Sequence, residues 1–194
     1  MAFDDQAGVS DEALLARFAA GDARAARLLI DRLAPRVLAH AVRLLGDRAE
    51  AEDVTQEAML RLWRIAPDWQ DLGARVSTWL YRVVGNLCID RLRARRPSVE
   101  IEAAGPIAAD QPGADADLMR AARAHALADG LARLPARQRQ AVVLRHIEGC
   151  SNGEIAEIME TGIEAVESLI ARGRRGLVAI LGERRDELGY EDDR

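Results

Sequence analysis

Arg172, Arg174 and Arg175 lie on a stretch that opens with Thr161-Gly162-Ile163-Glu164, ten residues after Ser151-Asn152-Gly153-Glu154. Arginine presents a planar fork of donors that matches phosphate oxygens or the acceptor edge of guanine. Each tetrapeptide pairs a hydroxyl able to accept from the N3 amide with a glutamate able to reach back to the cap amide, so each predicts a helix start. A short helix, a tight turn and a longer basic helix form the arrangement that inserts a helix into the major groove. On the second helix Val166, Leu169, Ile170, Gly173, Leu177 and Ile180 fall on one face, leaving Glu164, Glu167, Ser168, Arg172 and Arg175 on the other. Base edges are approached by the N-terminal end of such a helix, so Glu167, Ser168 and Arg172 are expected to read bases, and Arg174 and Arg175 to hold phosphate. The free amides at the Ser151 helix start suit a further phosphate. Gly173 and Gly176 each weaken a helix by about 1 kcal/mol against alanine, unless close packing requires them.

A second basic set precedes these. Val76 to Arg96 interleaves Tyr81, Arg82, Asn86 and Arg91 with apolar residues, and the segment before it holds Trp69, Gln70 and Arg75. Arginines interleaved with aromatics beside a polar loop suit phosphates together with stacked, unpaired bases. Trp79 falls on the apolar stripe and is expected in the core, which leaves Trp69 as the better stacking residue. A third set is Asp53, Gln56, Glu57, Leu60 and Arg64, on the outward ridge of a helix whose Val54, Ala58, Leu62 and Ile65 point inward, with Trp63 beside it. Charge beside an outward Leu and Trp fits a docking face for another protein, while a solvated face carrying a Glu57 to Arg61 pair fits as well. Among histidines, His146 and Cys150 are four apart and could share a metal, but no further ligand is near in sequence, and no nucleophile-base set or phosphate loop is present. His40 and His125 are expected to be ordinary packing residues, and Cys88 a small core residue.

Helices must position these sets. Ser10 predicts a helix that stops at Gly21, and Asp22 one that runs to Leu33 before Ala34-Pro35; Pro35 then starts a third that ends at Gly46. Asp47 and Glu50 start a helix that Pro67 breaks, Pro67 to Arg75 reads as a loop, and Val76 to Arg96 is a long helix that Pro97 terminates. Pro97 to Gly113, with Pro106 and Pro112 among alanines and acids, reads as a linker. Asp115 or Asp117 starts a helix to Leu134, and Pro135 restarts the chain before Val142, Val143 and Ile147.

Composition sets the bounds. Aromatics are 4% and strands have little support, so the 194 residues read as all-α. The expected organisation is two small helical domains, 1–96 and 116–194, joined by a flexible acidic linker at 97–115, with a frayed tail from Glu183. No run approaches the roughly 18 apolar residues of a membrane span, and no signal peptide opens the chain, which predicts a cytoplasmic protein. The net charge of −5 conceals segregation, because Arg75 to Arg96 carries a local +5 and Pro97 to Leu118 a local −5.

In this order, the three sets resemble the bacterial sigma factors, specifically the extracytoplasmic-function group that keeps only regions 2 and 4, from Ser10 to about Leu181. Glu52 to Trp63 is similar to region 2.2, Pro67 to Arg96 to regions 2.3 and 2.4, and Leu131 to Leu181, with Leu134-Pro135-Ala136-Arg137-Gln138-Arg139-Gln140-Ala141 and Glu154-Ile155-Ala156, to region 4. Thr161-Gly162-Ile163 at the turn, and Gly173, depart from the common pattern. The resemblance implies that Asp53, Gln56, Glu57, Leu60 and Trp63 bind the polymerase core, through its β′ and β subunits. It implies that Trp69, Gln70, Arg75, Tyr81, Arg82, Asn86 and Arg91 meet the −10 element. For the −35 element it implies Ser151, Glu164, Glu167, Ser168, Arg172, Arg174 and Arg175. It further implies a non-enzymatic, stress-responsive initiation subunit without cofactors, monomeric when free and restrained by an anti-sigma factor. Two weak DNA contacts would combine once the core fixes their spacing. The rival reading, a dimeric helix-turn-helix regulator with an N-terminal sensing domain, needs a dimer seam, and no heptad repeat supplies one.

Overall fold

A computed structural model describes residues 8–71, 75–95 and 114–182, leaving aside the side chains of 70, 71, 114–118 and 120. Every element among them is helical: α1 (Asp11–Ala19), α2 (Ala23–Leu45), α3 (Arg48–Ile65), a 3-10 helix (Ala66–Asp71), α4 (Val76–Ala94), α5 (Ala114–Ala132), α6 (Ala136–His146), α7 (Asn152–Met159) and α8 (Ile163–Gly182). The starts follow the predicted caps. Ser10 Oγ accepts from the Ala13 amide at 3.2 Å, Asp22 from those of Arg24 and Ala25, and Asp47 from that of Glu50 at 3.0 Å. Gly46, at φ 70°, closes α2 in the left-handed conformation that glycine adopts without penalty.

Two local expectations give way. Pro35 does not separate two helices but lies inside the continuous α2. An internal proline costs about 3 kcal/mol, yet Leu29, Leu33, Val37, Ala41 and Leu44 are all buried on one stripe that only a continuous helix aligns, and Pro35 sits on the exposed side. Likewise the segment expected as a loop from Pro67 begins as the 3-10 helix, and its Trp69 is buried, 6% exposed, edge-on to Trp79 at 6.0 Å. Most of the expected linker, Pro97 to Gly113, lies outside the described residues, as does the tail from Glu183; α5 already begins at Ala114.

The first five helices of the first half, counting the 3-10 turn, enclose one core that includes Leu14, Leu15, Leu29, Val54, Leu62, Leu80 and Val84. That core does not stop at the linker. Leu131, Leu134, Val142 and Val143 of the second half pack into it. A second cluster joins Tyr81 of α4 to Ala141, Leu144, Ile155, Ile158, Met159 and Val166. The two expected domains are therefore packed against each other.

Candidate nucleic-acid interface

The helix-turn-helix is built from local hydrogen bonds. Ser151 Oγ accepts from the Glu154 amide at 3.2 Å, and Glu154 Oε2 accepts from the Ser151 amide and hydroxyl at 2.8 Å each, so the predicted capping box is complete. Those Ser151 donors hold the Glu154 carboxyl below its ordinary value. Beyond α7, Glu160 takes the left-handed conformation, φ 49°, while the Thr161 amide donates to Ala156 O and the Glu160 amide to Glu157 O. This Schellman pattern satisfies the last carbonyls of α7 and makes the turn. In consequence α8 begins at Ile163, later than a Thr161 cap predicts.

On α8 the two faces separate as the spacing predicts. Val166 and Gly173 are buried, whereas Glu164, Glu167, Ser168, Arg172, Arg174 and Arg175, together with Ser151 at the cap of α7, are exposed. Arg172 Nε donates to Ser168 O at 3.2 Å, and Asn152 Nδ2 to Glu167 Oε1 at 3.3 Å, tying part of the outward face to its scaffold. The α8 glycines serve contact: a Cβ on Gly173 would lie 2.6 Å from Val142 Cγ2, and one on Gly176 2.8 Å from Leu134 Cδ2.

The α3 face is open. Asp53, Gln56 and Leu60 are exposed, the last by 42%, and Glu57 accepts from Arg61 at 2.9 Å. Trp63 is half-buried against Phe18, with ring centroids 4.7 Å apart. Asp53 also faces Arg91 at 3.7 Å, and Arg91 donates to Glu50 O.

The α4 face is occupied. Val76 starts α4 by donating its amide to Glu12 Oε1 at 3.0 Å, a cap from α1 that sequence spacing does not announce. Burial would raise the Glu12 carboxyl, but this backbone bond helps to hold it below its ordinary value. Tyr81 is buried, its hydroxyl donating to Glu148 Oε2 at 2.8 Å. Burial, reinforced by Glu148, pushes that phenol up to about 12. Arg75 lies 3.3 Å from Glu154 and Arg82 3.6 Å from Glu160, whereas Asn86 is exposed. Gln70 lies on the 3-10 helix, with its side chain outside the described set.

Several residues at this junction carry no sequence signal. Glu148 Oε1 accepts from Arg43 at 3.2 Å and lies 3.3 Å from Nδ1 of the fully buried His40, whose ring stands 4.8 Å from that of Tyr81. Burial alone would raise the Glu148 carboxyl, but the His40 and Tyr81 hydrogen bonds and the Arg43 charge outweigh it and hold the group below its ordinary value of 4.5. Arg139, 6% exposed, reaches from α6 to donate to Leu44 O at the end of α2, and to Ala132 O and Leu134 O. No periodicity marks such residues, since partners such as Leu44 for Arg139 and Glu148 for His40 lie 95 and 108 positions away. Both thiols are raised, Cys88 to about 12 by burial and Cys150 to about 11 by burial together with Glu154 and Glu148.

Two packed helical modules, one ending in a helix-turn-helix with an exposed basic face, form an arrangement suited to binding DNA. A family model described as Sigma-70 region 2 matches residues 29–97, and one described as Sigma-70 region 4 matches residues 124–177. The ECF RNA polymerase sigma factor SigW of Bacillus subtilis is 32% identical over 81% of this chain and 89% of its own length. SigM of Mycobacterium tuberculosis is 36% identical over 89% and 85%. Among solved structures, CnrH, an RNA polymerase sigma factor of Cupriavidus metallidurans, in complex with the cytosolic domain of CnrY, superposes with a TM-score of 0.65 at 29% identity, covering 89% of this chain and 97% of that one. The sigma factor RpoE of Bartonella quintana, solved with the anti-sigma factor NepR, shares the fold, with a TM-score of 0.63 over 80% of this chain and 96% of that one. The chain belongs to the extracytoplasmic-function sigma factors. Among the described residues no helix is long and apolar enough to cross a membrane.

Proposed function

We propose that this sigma factor loads onto the RNA polymerase core through the α3 face, with Asp53, Gln56, Glu57, Leu60 and Trp63 as contacts. The carrying observation is that the two sigma regions occur in order, the second with a complete helix-turn-helix whose basic side is exposed. The −35 element is read in the major groove by α8, with Arg172 directed at a base and Arg174 and Arg175 at phosphates. The −10 strand, once melted, lies on α4 and the 3-10 helix, where Arg75, Arg82 and Arg91 hold phosphates and Asn86 contacts the strand. Trp69 and Tyr81 belong to the same surface, and because both are buried they act there only after it rearranges. The division of the chain is 1–96 for core docking and −10 recognition, 97–115 for connection and 116–194 for −35 recognition.

No reaction is catalysed by the chain itself; its contribution is differential binding. Neither DNA face is strong alone, and the core holds both at one spacing, so the second contact forms at high effective concentration. This accommodates a net charge of −5 in a promoter-binding protein. An anti-sigma factor is the fitting restraint, since two relatives of the same fold are solved with such partners or with a cytosolic partner domain. Because its proposed partners are promoter DNA and polymerase, the protein would act in the cytoplasm. Run-off transcription with purified core polymerase and genomic fragments tests the proposal. Initiation at particular sites only when the chain is present is the expected result, and no stimulation refutes it.

A further inference from the structure

We infer that Asn152 is a positioning residue for the −35 contact: it holds the Glu167 carboxylate in place on the outward face of α8, where that carboxylate selects a cytosine. The inference deepens the assignment of α8 to the −35 element and rests on it. Asn152 is the first residue of α7 and Glu167 the fifth of α8, and the turn between the helices brings the two together. Asn152 Nδ2 donates to Glu167 Oε1 at 3.3 Å. Chemistry dictates the orientation of the amide, since an ionised carboxylate only accepts and a reversed amide would set oxygen against oxygen. Asn152 Oδ1 is buried, with no partner among the described residues. The amide is therefore lodged in the protein at its oxygen end and committed to Glu167 at its nitrogen end.

The held carboxylate is suited to reading a base. Glu167 is exposed on the N-terminal part of α8, the end of such a helix that approaches base edges. Its Oε2 makes no hydrogen bond among the described residues and is left to accept from DNA. Cytosine presents a donor in the major groove, its N4 amino group, and a carboxylate is the acceptor that matches it. A free glutamate loses rotamer freedom when it binds, and one already tethered loses less. A carboxylate beside a duplex also meets phosphate repulsion. Arg145, His146 and Arg174 line the same cavity of about 230 Å³ as Asn152 and Glu167, so the two arginines offset that repulsion. Arg172 lies five residues further along α8, about 7.5 Å by helical rise against about 3.4 Å per base pair, so the two side chains serve different positions of the element.

The test uses the full chain bound to core polymerase, selecting from promoter duplexes with a randomised −35 segment. The wild type is expected to favour cytosine about tenfold at one position, and E167A to lose that preference. N152A is expected to lower it to about threefold, with the position read by Arg172 unchanged, and to change nothing further in the E167A background. N152D, which replaces the donor by a like charge, is expected to abolish it. Ser151 caps α7, so both Asn152 variants keep the helix start, and aspartate suits a first turn; circular dichroism establishes folding, and should N152A fail to fold, N152D decides. A purely structural Asn152 would weaken every sequence alike and do so without Glu167 as well, a result that overturns the inference. A cytosine preference that E167A leaves in place, or that the Asn152 variants leave intact, overturns it too. Enrichment of sequences with no cytosine preference refutes this inference alone, whereas enrichment of no sequence at all refutes the −35 assignment together with it.

Discussion

The α8 face and the α4 face carry similar chemistry and meet opposite fates in the folded chain. Each presents arginines beside polar residues on one side of a helix, but Arg172, Arg174 and Arg175 stand exposed and clear of the first half, while Tyr81 is buried, and the exposed Arg75 and half-buried Arg82 lie 3.3 and 3.6 Å from glutamates of the other half. The difference lies in what fixes each face. The α8 face depends on a capping box, a Schellman turn and two glycine contacts, nearly all within one module. The α4 face is set by Glu148, Glu154 and Glu160, at least 67 residues away from their partners. A side chain's chemistry thus says what it is able to bind, and tertiary packing says whether it is free to do so.

The largest expected effect breaks the region where the two faces share packing. Leu144, fully buried in the cluster with Tyr81 and Val166, is expected on truncation to alanine to cost about 3 kcal/mol of unfolding free energy. Urea denaturation measures it. Loss of less than about 1 kcal/mol would show that the cluster is not well packed. Next, Arg172→Ala is expected to lose about 2 kcal/mol of preference at a single −35 base pair, whereas Arg175→Ala weakens all sequences alike and reduces the salt slope by about one. Promoter titrations with single-base variants at several salt concentrations separate the two, and equal behaviour would dissolve the distinction between base and phosphate contacts on α8.

A smaller effect is expected on the open α3 face, where Asp53→Arg with Gln56→Ala should weaken core polymerase binding about tenfold, roughly 1.4 kcal/mol, with the thermal midpoint of the free chain unchanged. Unchanged affinity removes that face from the account. The gentlest perturbation is pH. Glu148 is held below its ordinary value of 4.5 in the folded chain, so its contribution to the packing of the two halves is complete above that value and is lost as pH falls through the depressed one. Scattering should report expansion of the wild type in that acid range, and E148Q should be expanded already and respond less. Equal acid responses in the two proteins would assign the change to other carboxylates.

How much of this is legible in the sequence follows from the same contrast. Helix starts at Ser10, Asp22, Asp47 and Ser151 are local events, in which a side-chain acceptor meets amides two or three residues on, and reading them needs no knowledge of the fold. The inward and outward sides of α3 and α8 follow from their 3.6-residue period. Pro35 misleads because a local penalty of about 3 kcal/mol is outweighed by a stripe buried along the whole of α2. Trp69 misleads because a polar segment rich in turn formers still folds its indole against Trp79. Val76 has no capping side chain of its own and borrows Glu12 from α1. Buried Arg139 and His40 leave no trace in any periodicity, because carbonyls and carboxylates brought together by docking are what satisfy them.

The most direct test of the account is the distance between the halves, followed by single-molecule energy transfer between dyes at the exposed positions Arg24 on α2 and Val178 on α8. High transfer in the free chain that falls when core polymerase is added is the predicted result. Transfer that is already low in the free chain, or that stays unchanged on the polymerase, would contradict it.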